Sequence, residues 1–198
     1  MNLFLWWNVF SFRKELGYLL TAFLLALSLP IIAVILLTHA GIDIVSDRLV
    51  TENEISASVD IRSPLTGEVV KTLKGPFIWP ASGVFTLEFG ESSLYQPFHT
   101  GLDIAGSQGD PIVPMMPGKV VYAGEIFWGY GKHIIIDHGD SVSTVYAHLD
   151  RIFVVKGQEV VYGQIIGREG GTGWTTGPHL HFEIRVYGIP VNPRNFLF

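Results

Sequence analysis

Gly177-Pro178-His179-Leu180-His181-Phe182-Glu183-Ile184-Arg185 is the stretch that decides how the C-terminal part of this chain is read. Side chains alternate between the two faces of a strand. His179, His181, Glu183 and Arg185 therefore share one face, and Leu180, Phe182, Ile184 and Val186 share the other. The second face is pure core. The first carries two imidazoles, a carboxylate and a guanidinium, the groups that a metal site on a sheet needs. The same alternation also suits an ordinary solvent-facing strand edge.

Outward from this strand the texture stays the same back to Pro76. Lys119-Val120-Val121-Tyr122, His133-Ile134-Ile135-Ile136 and Ser143-Thr144-Val145-Tyr146 are short β-branched and aromatic runs separated by glycine-containing turns. No window shows a helical period. Short strands at regular spacing with turn signals predict an all-β domain, a small antiparallel sheet or sandwich.

The N-terminal part reads differently. Residues 17–37 carry no charge and are mostly Leu, Ile, Ala and Val, in a chain of 198 residues that is 48% hydrophobic. Roughly 20 such residues span a hydrocarbon core. Arg13 and Lys14 precede the run, while Asp43 and Asp47 follow it. The excess of cations on the N-terminal side places the N-terminus in the cytoplasm and the rest of the chain outside. Trp6 and Trp7 suit an interfacial belt. Cleavage after Thr38-His39-Ala40 is the alternative, although the apolar region of a signal peptide is typically only about 7–15 residues.

The expected organisation is thus a cytoplasmic segment 1–16, a single transmembrane helix 17–38, a stalk 39–75 and a domain 76–198. Within 41–75 the acidic residues outnumber the basic ones six to four. Ser63-Pro64-Leu65-Thr66-Gly67 predicts a turn followed by a short strand near 68–73. A formal net charge of −5 argues against a nucleic-acid partner, which needs a basic stripe to meet phosphates. With no cysteine in the chain, thiolate sites are excluded, and any metal is held by His, Asp or Glu.

Six of the seven histidines fall between His99 and His181, with His39 the exception beside the apolar run. In Phe98-His99-Thr100-Gly101-Leu102-Asp103 the flanking prolines and glycines predict a loop entering a strand, in which Gly101 lets the chain turn so that His99 and Asp103 reach one point. Val145-Tyr146-Ala147-His148 ends a strand and puts His148 on one face with Tyr146 and Thr144. His133 and His138 flank the isoleucine run; His138, beside the Gly139-Asp140 turn, reads as structural and His133 as a surface or turn residue. Glu183 is a possible acceptor behind His181, and a salt bridge with Arg185 is an equal reading of it.

His-x-x-x-Asp, then Tyr-x-His-Leu, then Gly-Pro-His-Leu-His-Phe-Glu, in this order, resemble the lysostaphin/LytM-type zinc endopeptidases, whose fold carries the duplicated hybrid motif. Gly118-Lys119-Val120-Val121-Tyr122-Ala123-Gly124, Gly129-Tyr130-Gly131, Ile136-Asp137-His138-Gly139 and Gly157-Gln158-Glu159-Val160 fit the same pattern. The resemblance runs from about Trp79 to Leu197. It implies a peptidase domain with a metal groove in which His99, Asp103 and His181 ligate zinc. His148 and His179 flank the metal as catalytic residues. No ligand is missing, which disfavours the zinc-less branch of the family that serves as a wall-binding or amidase-activating module. Pro114-Met115-Met116-Pro117 is a departure, since relatives carry small residues there, and it is expected to alter a groove wall.

Three protein ligands and one open position make a catalytic rather than structural zinc site. The resemblance implies peptide stems or cross-bridges of bacterial peptidoglycan as substrate. Together with the anchor, it places the catalytic domain on the outer face of the cytoplasmic membrane.

Overall fold

The computed structural model describes residues 3–53, 57–92 and 96–197; within the first of these, the side chains of 3–14, 27, 30, 31 and 34–39 are not described. The chain divides into two compact units, Met1–Ala40 and Gly41–Phe198. Helix α1 covers Leu3–Leu49. In the first unit, every side chain from 15 to 26 is exposed, Tyr18, Leu19, Phe23 and Leu24 among them. Among the described residues no helix is long and apolar enough to cross a membrane. The expected transmembrane helix 17–38 is therefore not met by the structure. Several of its apolar positions lie outside the described side chains, and those that remain do not form an unbroken run of the required length. Trp6, Trp7 and His39 also lie outside the described side chains.

The second unit is mostly β. Its strands are β1 (Val50–Asn53), β2 (Ser58–Arg62), β3 (Val69–Lys74), β4 (Val84–Leu87), β5 (Leu102–Ala105), β6 (Pro111–Ile112), β7 (Gly118–Glu125), β8 (Lys132–Gly139), β9 (Val142–Ala147), β10 (Arg151–Ile152), β11 (Glu159–Val160), β12 (Gly167–Arg168), β13 (Leu180–Val186) and β14 (Ile189–Val191). All pairings between them are antiparallel. The main sheet runs β11-β7-β8-β9-β13-β5-β4, with β14 also on β13. Short sheets β1-β2-β3 and β10-β12-β6 complete the unit.

Two features of this sheet position the site. First, β13 lies between β9 and β5, with His181 in register with Ala147 on one side and Asp103 on the other. Second, both faces of β13 are covered. Leu180, Phe182, Ile184 and Val186 enter the core as the alternation predicts, but His181 and Glu183 on the other face are buried too, so this is not a solvent-facing strand.

Residues 41–75 contribute to the same unit. Leu49, Val50, Val59 and Ile61 are buried and join one hydrophobic cluster with Val186, Val191 and Phe196. Full burial of each such side chain is worth about 1.5–3 kcal/mol. The backbone N–H of Asn192 also donates to Ser46 Oγ at 3.0 Å. The turn after Ser63 forms as expected, with Gly67 N–H on the Ser63 carbonyl at 2.9 Å. Met115 and Met116 are buried in the core cluster and do not line the cleft, which corrects the expectation that this segment alters a groove wall. A flexible thioether suits an irregular core gap of this kind.

Candidate functional site

His99, Asp103 and His181 converge. One ligand atom from each lies within 4.8 Å of the other two, the only group among the described residues that could hold a metal ion. The contacts themselves are closer. His99 Nε2 is 3.0 Å from Asp103 Oδ1, His181 Nδ1 is 2.8 Å from the same oxygen, and the two ring nitrogens are 2.9 Å apart.

Backbone geometry brings them there. Asp103 and His181 are cross-strand partners, so their side chains rise from the same side of the sheet. His99 lies just before β5 and is held by the 88–91 turn: Gly90 N–H donates to the His99 carbonyl at 2.9 Å and His99 N–H to the Glu91 carbonyl at 2.8 Å. Glu88 is itself fixed by Arg194, whose Nη2 is 2.7 Å from its Oε1. Gly101 serves differently from the turn expected of it. A Cβ at this position would sit 2.3 Å from the Phe182 carbonyl oxygen, so the glycine permits close passage of the chain beside β13.

The outer hydrogen bonds of the two imidazoles decide which nitrogen faces inward. His99 Nδ1 is 3.0 Å from the Glu88 carbonyl, an acceptor only, so Nδ1 carries the proton. His181 Nε2 is 3.0 Å from Glu183 Oε1, again an acceptor, so Nε2 carries the proton. Lone pairs of His99 Nε2 and His181 Nδ1 then point at Asp103 and at each other. Three lone-pair donors within 3.0 Å repel unless a cation lies among them, which is the donor set and polarity of a metal site. A proton on His181 Nδ1, donated to Asp103, would meet the same demand. Burial disfavours a charge on His181, but hydrogen bonds and charge from Asp103 and Glu183 overcome it and raise the imidazole to about 9. Burial acts to raise Asp103, yet the two histidines hold it well below the usual carboxylate range.

His148 and His179 stand beside this group. Their ring centroids are 4.8 Å apart, and that of His148 is 5.8 Å from His181. His148 follows β9 with φ of 61°, a left-handed conformation uncommon outside glycine. Tyr146 and Thr144 are fully buried, so strand alternation alone would have sent His148 with them into the core; the reversed φ sends it to the site instead. Its Nδ1 donates to the Thr172 carbonyl at 2.8 Å, leaving Nε2 as an acceptor. Burial, then the neighbouring charge of His181, lowers its pKa to about 4. His179 donates from Nδ1 to the Gly177 carbonyl at 2.9 Å, and its Nε2 is 3.5 Å from Asp103 Oδ2.

These groups open on a cleft of about 460 Å³, also lined by Thr86, Leu87, Tyr130, Trp174, Thr175 and Thr176. The backbone of Trp174 is fixed against the opposite loop, its amide N–H donating to the Gly129 carbonyl at 2.9 Å. Gly173 allows that approach, since a Cβ there would meet the Gly129 carbonyl oxygen at 2.3 Å. Sequence reasoning gave no site role to Tyr130, Trp174 or Thr100; loops bring the first two to the cleft, and Thr100 lies behind it on Glu183. Glu183 has a signal in its same-face spacing from His181. His133 and His138 both lie in β8 rather than in turns, and His133 is buried and stacked on Tyr122 with centroids 4.4 Å apart.

Comparison with known proteins agrees with this geometry. The family model "Peptidase family M23" matches residues 97–193, which include all five site residues. The chain is 37% identical over 164 residues to the murein hydrolase activator NlpD of Salmonella dublin, covering 77% of this chain and 42% of that protein. It therefore spans less than half the length of this curated relative. Among solved structures, it resembles the catalytic domain of the prophage-encoded M23 protein EnpA from Enterococcus faecalis at 37% identity and TM-score 0.53, covering 60% of this chain and 93% of that one. A zinc containing peptidase from Vibrio cholerae matches at 30% identity and TM-score 0.58, over 71% of this chain and 46% of that one. With the motifs, the site geometry and the near-complete cover of the EnpA catalytic domain in agreement, the chain belongs to peptidase family M23.

Proposed function

We propose that this protein is a zinc-dependent endopeptidase that hydrolyses peptide stems or cross-bridges of peptidoglycan, with His99, Asp103 and His181 as the zinc ligands. The observation that carries the reading is the inward orientation of the two imidazole lone pairs beside the Asp103 carboxylate. His99, Asp103 and His181 would hold a zinc ion there, which would supply Lewis-acid activation of water. His148 is neutral in the working range and presents Nε2 as a proton acceptor at the edge of the cleft. His179, on the cleft wall beside Asp103, is placed to contact the developing oxyanion or the departing amine. Thr176, exposed on the cleft wall, offers a hydroxyl to the amides of an extended peptide.

Membrane association through α1 belongs to the same proposal. Its support is the uncharged 17–37 run with Arg13 and Lys14 before it, and the ring of exposed apolar side chains from Leu16 to Ile32. Such a surface is costly in water and is relieved in lipid. Fractionation of cells expressing the full chain should place it with the membranes, and recovery in the soluble fraction contradicts this association.

The name of the Salmonella relative favours one other reading, in which the chain activates a separate murein hydrolase. Incubation of the purified full-length protein with peptidoglycan, alone and with an added amidase, separates the two. Fragment release by the protein alone supports the peptidase. Release only when the amidase is present supports the activator.

A further inference from the structure

Behind His181, on the side away from the cleft, Glu183 is fully buried. Its carboxylate is surrounded by donors. Oε1 accepts from His181 Nε2 at 3.0 Å, Thr100 Oγ1 at 2.5 Å and the Tyr130 hydroxyl at 2.6 Å. Oε2 accepts from Arg185 Nε at 2.7 Å and Nη2 at 2.6 Å. Arg185 Nη2 also donates to the Tyr130 hydroxyl oxygen at 2.9 Å.

Glu183 is buried while Arg185 is partly exposed; desolvating the carboxylate is costly, and an apolar replacement of similar volume is often as stable or more so. Stability alone therefore gives weak reason for this arrangement. Its geometric consequence is specific. A carboxylate can only accept from Nε2, so it fixes the His181 proton there and leaves the Nδ1 lone pair for Asp103 and His99. If the proton moved to Nδ1, His181 would present a donor to the cation position and the ligand set would be lost. Thr100 sits next to His99, and the Tyr130 ring lies in the cleft wall, so the residues that hold the carboxylate are themselves parts of the site.

We infer that Glu183, held by Thr100, Tyr130 and Arg185, is a positioning residue that sets the His181 tautomer and thereby the metal affinity of the site. This inference rests on the zinc reading above. The hydrogen bond from Nε2–H to a full negative charge makes Nδ1 more electron-rich, and loss of such an outer partner typically lowers metal affinity about 10–100-fold.

The test is the zinc affinity of the full-length protein, measured with the metal alone against a chromophoric chelator, in wild type, Glu183→Gln, Arg185→Lys and Tyr130→Phe. Circular dichroism reports the fold, and the visible spectrum of the cobalt(II) form reports ligand geometry. Glu183→Gln should lower zinc affinity about 10–100-fold with the fold retained and change the cobalt spectrum. Tyr130→Phe removes one of the donors that hold Oε1, so zinc affinity should fall in the same direction as in Glu183→Gln and by a smaller factor. A folded Glu183→Gln protein that binds zinc within about twofold of wild type overturns the inference. Should that variant fail to fold, Arg185→Lys decides: it keeps the charge but loses the two-pronged grip on Oε2, and unchanged zinc affinity again overturns the inference. Absence of zinc binding in the wild type contradicts the zinc reading itself, and is distinct from a wild type that binds while the variants bind equally well.

Discussion

His181 and Asp103 face each other across adjacent antiparallel strands, in direct register, with Nδ1 and Oδ1 2.8 Å apart. Strand pairing itself thus sets two of the three proposed ligands, and only His99 depends on a loop. Removing His181 or Asp103 should abolish zinc binding, because two remaining donors do not hold the ion in a four-coordinate site. Metal analysis of purified His181→Ala and Asp103→Ala, beside wild type, checks this; a stoichiometric zinc ion in either variant would show that the ligands are misassigned.

His148 and His179 flank the ligands without joining them. His148→Ala and His179→Ala should keep the zinc and lower turnover about 10²–10⁴-fold, the usual worth of one acid–base group. Near-wild-type turnover in His148→Ala at equal zinc content would remove it from the mechanism.

Gly101 tests the role of backbone proximity. A Cβ there would overlap the Phe182 carbonyl at 2.3 Å, and both chains at this crossing carry site residues. Gly101→Ala should cost about 1–3 kcal/mol of stability, as overpacking does, and weaken metal binding by displacing His99 from Asp103. Denaturant unfolding and zinc titration of the variant read the two effects, and wild-type values for both would show that the crossing relaxes freely.

His138 lies far along β8 from the ligands, with Nδ1 2.9 Å from the Pro117 carbonyl and Nε2 2.7 Å from Thr144 Oγ1. Burial lowers its pKa from the ordinary 6.5, against smaller opposing effects of Pro117 and Asp137. The unfolded chain therefore binds this proton more readily than the folded one. The stabilisation is fully present above about pH 6.5 and is lost as pH falls from there through the lower folded value. Urea unfolding across this range should show stability declining toward acid, with a shallower decline in His138→Gln. An identical pH dependence in the two proteins would remove His138 as a contributor.

Much of this was legible in the sequence, and the exceptions have physical causes. The β-branched runs at Val120, Ile134 to Ile136 and Val145 lie in β7, β8 and β9, and the alternation through Leu180 to Val186 marks the core side of β13 correctly. The three proposed ligands and two flanking histidines come together as the family resemblance implies. What period-2 reasoning misplaced was His148, because a single left-handed residue past a strand end reverses its direction. The reason for Gly101 was hidden because close approach to Phe182 is a contact 81 positions away in sequence. The roles of Tyr130 and Thr100 were hidden for the same reason, since their partner Glu183 is distant in sequence. Leu49, Val50, Val59 and Ile61 lie in a stretch whose polar composition gives no sign of the cluster they join.

The central claim is that the chain itself cuts peptidoglycan peptides through the zinc held by His99, Asp103 and His181. Mass spectrometry of fragments released from purified peptidoglycan by the full-length protein, before chelation, after chelation and after zinc is restored, tests it most directly. The expected result is peptide-bond cleavage that chelation abolishes and zinc restores. Cleavage that survives complete removal of the metal, or no cleavage by a zinc-loaded and folded protein, would contradict it.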